Sequence, residues 1–294
     1  NKIKSLILFY FEIFKQIPKK SVIFIHMGGP YGLNLFLFKI FFKTKVYQWW
    51  AHPILSFSNK IGFYLSIDKL FTCSESSFPL KSEKKIIVGH GININKFPLR
   101  KNGNPHKNSL VTASRLTFRK NIHEMINLVQ FLKEKYKIKI KLTIYGSPLS
   151  NKDKIYKKFL IALIKQYKLE KSVNILPAVE HSKLHKYYEN HNVYLNFSET
   201  ALDKSVLEAM STGIPVLSCN PCLAESINDE YIKNLITFDS LENFKTLSKK
   251  VIKFLNLKDK EFNFYKSKSN QFIKANHSIK RLTGLIIEKI YNDI

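Results

Sequence analysis

The stretch Asn192-Val-Tyr-Leu-Asn-Phe-Ser-Glu-Thr-Ala-Leu-Asp-Lys-Ser-Val-Leu-Glu-Ala-Met-Ser-Thr-Gly-Ile-Pro-Val-Leu-Ser218 decides how the chain folds. Asn192 to Phe197 reads as a strand. Ser198 or Thr200 then offers a helix N-cap, and Asp203 adds a negative charge near the first turn. A short helix follows with Val206, Leu207 and Met210 on one face, and Gly213 and Pro215 end it. Ile214, Val216 and Leu217 open the next strand. Strand, loop, helix, strand is a unit of parallel sheet, and its loop lies at the carboxyl end of a strand, where open α/β sheets take ligands. Spacing alone reads Glu208 as a solvated residue on that helix.

The same alternation runs outward in both directions. Towards the N-terminus it predicts helices over 3–16, 33–43 and 56–66 and strands over 21–26, 45–49, 69–73 and 85–88. Met27-Gly-Gly-Pro-Tyr-Gly32 reads as a turn. Residues 100–108 are polar and contain Gly103 and Pro105, which marks a linker. Beyond it come strands at 110–113, 140–145, 173–176 and 193–195, with helices at 122–135, 154–167 and 182–189. A strand near 235–238 and helices over 241–255, 259–272 and 277–291 complete the pattern. The fold class is α/β, with two Rossmann-like domains. The first covers 1–99 and the second 109–275. Residues 276–294 form a C-terminal helix expected to pack back on the first domain.

The chain has 294 residues, enough for two domains of ordinary size. At 45% hydrophobic residues it can bury real cores, which excludes a disordered chain. The net charge of +26 suits nucleic acid, anionic lipid or phosphorylated small molecules. Its lysines are dispersed, and no nucleic-acid reader motif accompanies them, so nucleic acid is not an expected partner. Richness in Lys, Asn, Ile, Phe and Tyr is also what an A+T-rich genome produces. Cys219 and Cys222 form a lone C-x-x-C with no further ligands for zinc, so no metal site is expected. Leu6–Phe14 and Leu33–Phe42 are too short and too interrupted by charge to cross a bilayer. Their lysine-rich surroundings suit contact with an anionic membrane surface.

The Ser114–Asn121 loop places Arg115, Arg119 and Lys120 between a strand and the N-terminus of a helix, where cations and free N–H groups together bind anions. Glu208 and the Ser198–Lys204 loop lie on the same carboxyl edge. A carboxylate for ribose hydroxyls beside a cationic clamp would hold a nucleoside diphosphate.

The chain resembles the GT-B glycosyltransferases of family 4, or group 1. The resemblance rests on Ala113-Ser-Arg-Leu-Thr-Phe-Arg-Lys-Asn121, Leu142-Thr-Ile-Tyr-Gly146, Tyr187 to Ser198, Val206-Leu-Glu-Ala-Met-Ser-Thr-Gly-Ile-Pro-Val216 and Ala224-Glu-Ser-Ile227. In the first domain Phe71-Thr-Cys-Ser74 and Val88 to Phe97 also match. It implies that Arg115 and Lys120 bind the donor diphosphate, that Glu208 binds its ribose, and that Gly146 lies near the nucleotide. His52 is implied near the transferred sugar. Together His52, Arg115 and Lys120 form the expected catalytic set. Glu199, Thr200, Asp203, Lys204 and Ser205 join the expected donor-binding set. Thr200 stands where the family carries its first motif glutamate, and Asp203-Lys204 replaces small residues whose backbone meets phosphate. The family's first domain also opens with a strand and glycine-rich loop not recognised here, so a shortened first domain is expected.

The resemblance implies metal-independent transfer of a sugar, with retention, from a UDP- or GDP-linked donor to a glycan or lipid-linked acceptor. No cofactor is implied. The setting implied is cytoplasmic, with peripheral contact at the inner membrane face. The fold also carries sugar-nucleotide epimerases and phosphorylases, and a shortened chain could bind donor without transferring it.

Overall fold

The computed structural model describes residues 2–16, 21–101, 106–199, 201–238, 241 and 243–293. Thr200 and residues 102–105 of the expected linker lie outside the described residues. The chain divides into two units, one of residues 1–88 with 285–294, the other of residues 89–284.

The first unit runs α1 (Lys2–Gln16), β1 (Val22–His26), α2 (Gly29–Asn34), α3 (Phe36–Phe42), β2 (Lys45–Trp49), α4 (Phe57–Ser66), β3 (Lys69–Thr72) and β4 (Lys85–Ile87). Its four strands pair in parallel in the order β1-β2-β3-β4. A central strand of a parallel sheet is covered on both faces, and Val46 to Trp49 are accordingly all buried. Leu35, Phe38, Val46, Phe63, Ile67, Leu70 and Phe78 form the core. The residues read as a turn at 27–32 already enter α2 at Gly29, because proline at a first helical position is pre-set for the helix.

The second unit runs β5 (Ser109–Ala113), α5 (Ile122–Tyr136), β6 (Lys141–Tyr145), α6 (Asn151–Gln166), β7 (Val173–Leu176), α7 (Leu184–Glu189), β8 (Val193–Asn196), α8 (Lys204–Thr212) and β9 (Val216–Ser218). There follow α9 (Pro221–Ser226), α10 (Glu230–Ile236), α11 (Phe244–Leu255), α12 (Asp259–Asn276) and α13 (Ile279–Tyr291), the last running on beyond residue 284. The strand expected near 235–238 is the end of α10, and only Thr237 bridges to Ser218. The short apolar run Leu235-Ile236 fits a buried helix turn as well as a strand.

The sheet order is β7-β6-β5-β8-β9, all parallel. The chain starts in the middle at β5, builds outward through β6 and β7, then returns to β8 on the other side. The carboxyl ends of β5 and β8 therefore flank the point where the strand order reverses, and a crevice opens there in such sheets.

The helix α8 is buried from Val206 to Thr212. Its last carbonyls have no partner within the helix. Ser269 Oγ of α12 donates to Met210 O at 3.1 Å, and Asn270 Nδ2 donates to Ser211 O at 2.6 Å. The Arg100 N–H donates to Thr212 O at 2.9 Å. Arg100 is itself buried, its guanidinium donating to His191 O at 3.1 Å. Residues from 89 onward thus group with the second unit, whereas composition put the boundary at 100–108. Gly213 ends α8 at φ 76°, and a Cβ there would lie 2.5 Å from Lys266 Cγ, so both backbone and space require glycine.

Candidate functional site

The loop after β5 and the loop after β8 meet across the switch point. Asn121, left-handed at φ 46° before α5, donates through Nδ2 to Phe197 O at 3.0 Å and to Glu199 Oε2 at 3.2 Å. Lys120 Nζ reaches both carboxylate oxygens of Asp203, at 2.6 and 2.7 Å. Asn196, the last residue of β8, donates to the same carboxylate at 2.9 Å.

The network continues into the sheet. Ser218, which ends β9, donates to Asn196 Oδ1 at 2.9 Å. The Asn220 N–H donates to Ser218 Oγ at 3.1 Å, and Asn220 Nδ2 donates to Ser198 O and Ala201 O, each at 2.9 Å. Asn220 also caps α9 by accepting from the Leu223 N–H. Asn196, Ser218 and Asn220 are all buried. A buried polar group is stable only when satisfied, and a satisfied chain of them fixes the backbone it holds. Here that backbone is the 198–203 loop. Ser198 Oγ is buried with no hydrogen-bond partner among the described residues.

Asp203 is the N-cap residue of α8, but its side chain makes no capping bond. The expected caps Ser198 and Thr200 lie too early. Asp203 turns to Lys120 instead, since a charge-assisted bond to an ammonium is stronger than one to a neutral N–H. Lys204 is exposed and Ser205 half-buried in the first turn. Arg115 is exposed in the bend after β5.

Glu208 is 3% exposed, against the solvated position that its spacing suggested. It sits in a helix whose neighbours on all sides are covered. Its partner is His181, with Nε2 2.7 Å from Oε1. Burial pushes the Glu208 carboxyl above its ordinary range, and the His181 contact and the charge of Lys204 oppose that rise. Gly146 closes β6 against the Ser114 loop. A Cβ there would stand 2.2 Å from Ser114 O, so only glycine permits this approach. Tyr194 Oη of β8 donates to Ala113 O at 3.2 Å and braces the same loop.

Arg115, Lys120, Gly146, Glu199, Asp203, Lys204, Ser205 and Glu208 all belong to the second unit, on the loops that end β5, β6 and β8 or on α8. His52 belongs to the first unit. Its Nδ1 accepts from the Ile54 N–H at 3.1 Å. Cys219 is half-buried and Cys222 buried, and burial, then the nearby Glu199, pushes the Cys219 thiol up to about 12. Among the described residues no group of three or more His, Cys, Asp or Glu side chains could hold a metal ion. No described helix is long and apolar enough to cross a membrane.

Sequence reasoning assigned no role to His181, Asn121, Asn196, Ser218 and Asn220. A signal existed for two of them: Asn196 and Ser218 are single polar residues closing apolar strand runs.

The two parallel α/β units are those of the GT-B fold. The family model for glycosyl transferases group 1 matches residues 94–275. The chain belongs to that family. Among solved structures, TarM of S. aureus, in complex with UDP, superposes with a TM-score of 0.73 at 17% identity, over 96% of this chain and 58% of that one. This chain thus spans little more than half the length of TarM. A glycosyltransferase from Rickettsia africae ESF-5 gives a TM-score of 0.77 at 14% identity, over 99% and 80% of the two chains. HepE of Anabaena, in complex with UDP, gives 0.74 at 14% identity, over 92% and 79%. No curated protein matches this chain.

Proposed function

We propose that the chain transfers a sugar from a nucleoside diphosphate donor to a glycan or lipid-linked acceptor, with retention at the anomeric carbon and without a metal. The observation that carries this reading is that Arg115 and Lys120 stand on the loop after β5, with Lys120 held to Asp203 at the start of α8, the helix that carries Glu208, beside the 198–203 loop fixed by the Asn196–Ser218–Asn220 network. A cationic loop before one helix and the start of another supply charge and N–H groups for a diphosphate. A buried carboxylate nearby supplies an acceptor for ribose hydroxyls.

The leaving group gains negative charge as the glycosidic bond breaks. Arg115, Lys120 and the first N–H groups of α8 would take up that charge, a role that needs no metal in this reading. The acceptor hydroxyl would attack on the face from which the diphosphate departs, and a phosphate oxygen would take its proton. His52 enters as a sugar-side residue through the family resemblance alone. UDP in the TarM and HepE structures favours a uridine or related donor, and GDP remains the second candidate.

Calorimetric titration with UDP, GDP and ADP tests the donor half. One nucleotide is expected to bind, and Arg115→Ala to weaken it by at least about tenfold, the loss of one charged hydrogen bond. Binding of none of the three would sink the reading.

A lipid-linked acceptor would place the enzyme at a membrane surface. Ile7, Leu8, Phe11 and Phe14 on α1 and Leu37, Ile40 and Phe41 on α3 are exposed, with Lys4, Lys15 and Lys43 exposed beside them in sequence. Apolar contact with flanking lysines suits an anionic headgroup layer. Co-sedimentation with phosphatidylglycerol vesicles at low salt is expected, with little on phosphatidylcholine. Equal absence from both would remove the membrane from the proposal.

A further inference from the structure

Glu208 is reached by one hydrogen bond among the described residues, and its donor is better placed to meet a ligand than the carboxylate itself. His181 opens a short 3-10 turn ahead of α7. Its side chain is 59% exposed, while that of Glu208 is 4% exposed. Phe97 packs edge-on against the His181 ring at 5.1 Å between centroids, which limits how the imidazole turns. The ring is therefore held between Phe97 and Glu208 Oε1.

We infer that His181 is a positioning residue for the donor ribose, fixing Glu208 Oε1 through its Nε2–H and leaving Oε2 to receive a ribose hydroxyl. The inference rests on the reading of Glu208 as the ribose acceptor. A buried carboxylate with no donor would turn to find one, or keep its proton, and in either state it would accept ribose hydroxyls poorly.

The charged and titratable groups around Glu208 are few. Lys204 lies one turn back on α8, Tyr188 comes from α7 and Tyr194 from β8. Strand β9 presents none, and on α12 Lys266 lies against Gly213, beyond the far end of α8. Of these, His181 and Lys204 favour the ionised carboxylate, and burial opposes it. Removing the imidazole therefore lets Glu208 keep its proton to higher pH. A ligand that needs the carboxylate is then lost at a higher pH than in the unaltered protein.

The test is titration with UDP and GDP across pH 5 to 8 on the unaltered chain, His181→Leu, His181→Gln and Glu208→Gln, with thermal melting alongside. His181→Leu is expected to weaken binding about tenfold at pH 7, the value of one hydrogen bond to a charged group, and to move the acidic limb upward. His181→Gln keeps an N–H donor and is expected to recover most of the affinity. The inference is overturned if His181→Leu binds as well as the unaltered chain with its limb unmoved. It is also overturned if that variant binds more tightly, since His181 would then only obstruct. Equal losses in the Leu and Gln variants with lowered melting would mark a packing role and overturn it too. If Glu208→Gln abolishes binding while His181→Leu does not matter, the ribose reading stands and this inference alone falls. If no protein in the set binds either nucleotide, the ribose reading falls first and takes this inference with it.

Discussion

Glu208→Gln is expected to abolish nucleotide binding without lowering stability. Two ribose hydroxyls donating to a carboxylate make two charge-assisted bonds, each worth about 1.5–3 kcal/mol. Glutamine offers one neutral oxygen in place of two charged ones. The expected loss is at least about 100-fold in nucleotide affinity, roughly 2.7 kcal/mol.

Stability moves the other way. Glu208 is buried, and burial raises its carboxyl pKa above the unfolded value. A group whose folded pKa is raised binds more protons in the folded state. Its ionisation therefore costs stability as pH rises from the unfolded carboxylate range through the folded pKa. A neutral glutamine carries no such cost, so the variant melts at or above the unaltered temperature at pH 7. It can still meet His181 through its amide. Isothermal titration paired with melting at pH 7 decides the matter. A variant that loses binding and melts well below the unaltered chain would show that Glu208 serves the fold and not the ligand.

The sequence displayed the scaffold well because its signals were periodic. Strands at 109–113, 141–145 and 193–196 are short apolar runs between turn residues, and the runs predicted them to within a residue or two. Gly213 and Pro215 marked the end of α8 because a left-handed cap leaves few choices of residue. The run 235–238 misled because a short apolar segment has no period of its own.

The loops behind the site were less legible. Glu208 looked solvated because periodicity describes one helix, while its burial comes from everything packed around α8. Asp203 read only as a charge near the first turn of α8 because helix-end signals are local, and its partner, Lys120, is distant in sequence and joined only by the order β5-β8. His181 reaches Glu208, and Asn220 reaches Ser198 and Ala201, across 19 to 27 residues of chain, which no local pattern encodes.

The Lys120–Asp203 pair yields the other large effect. Lys120→Ala removes one of the two cations proposed for the diphosphate and leaves Asp203 facing Asn196 alone. The pair is mostly covered, with side-chain exposures of 21% and 16%. Exposed pairs contribute about 0–1 kcal/mol, and breaking a fully buried one costs about 3–5 kcal/mol. A loss of about 1–2 kcal/mol is therefore expected from Lys120→Ala. If the chain transfers sugar, the same variant should also lose about 2.7–4 kcal/mol of transition-state stabilisation.

Adding Asp203→Asn separates the two roles. The double variant has no stranded carboxylate and should regain most of the lost stability. It should not regain nucleotide binding, because the ammonium is still missing. Asp203→Asn alone keeps the ammonium, frees it from its carboxylate partner and removes a negative charge from beside the diphosphate. Bare UDP or GDP should then bind at least as tightly as to the unaltered chain. Binding restored in the double variant would mean that Lys120 matters only by neutralising Asp203. Binding lost in Asp203→Asn alone would mean that the carboxylate touches the donor or aims the lysine at it. The four proteins form a closed cycle, and the coupling between the two sites can be read separately in melting and in affinity.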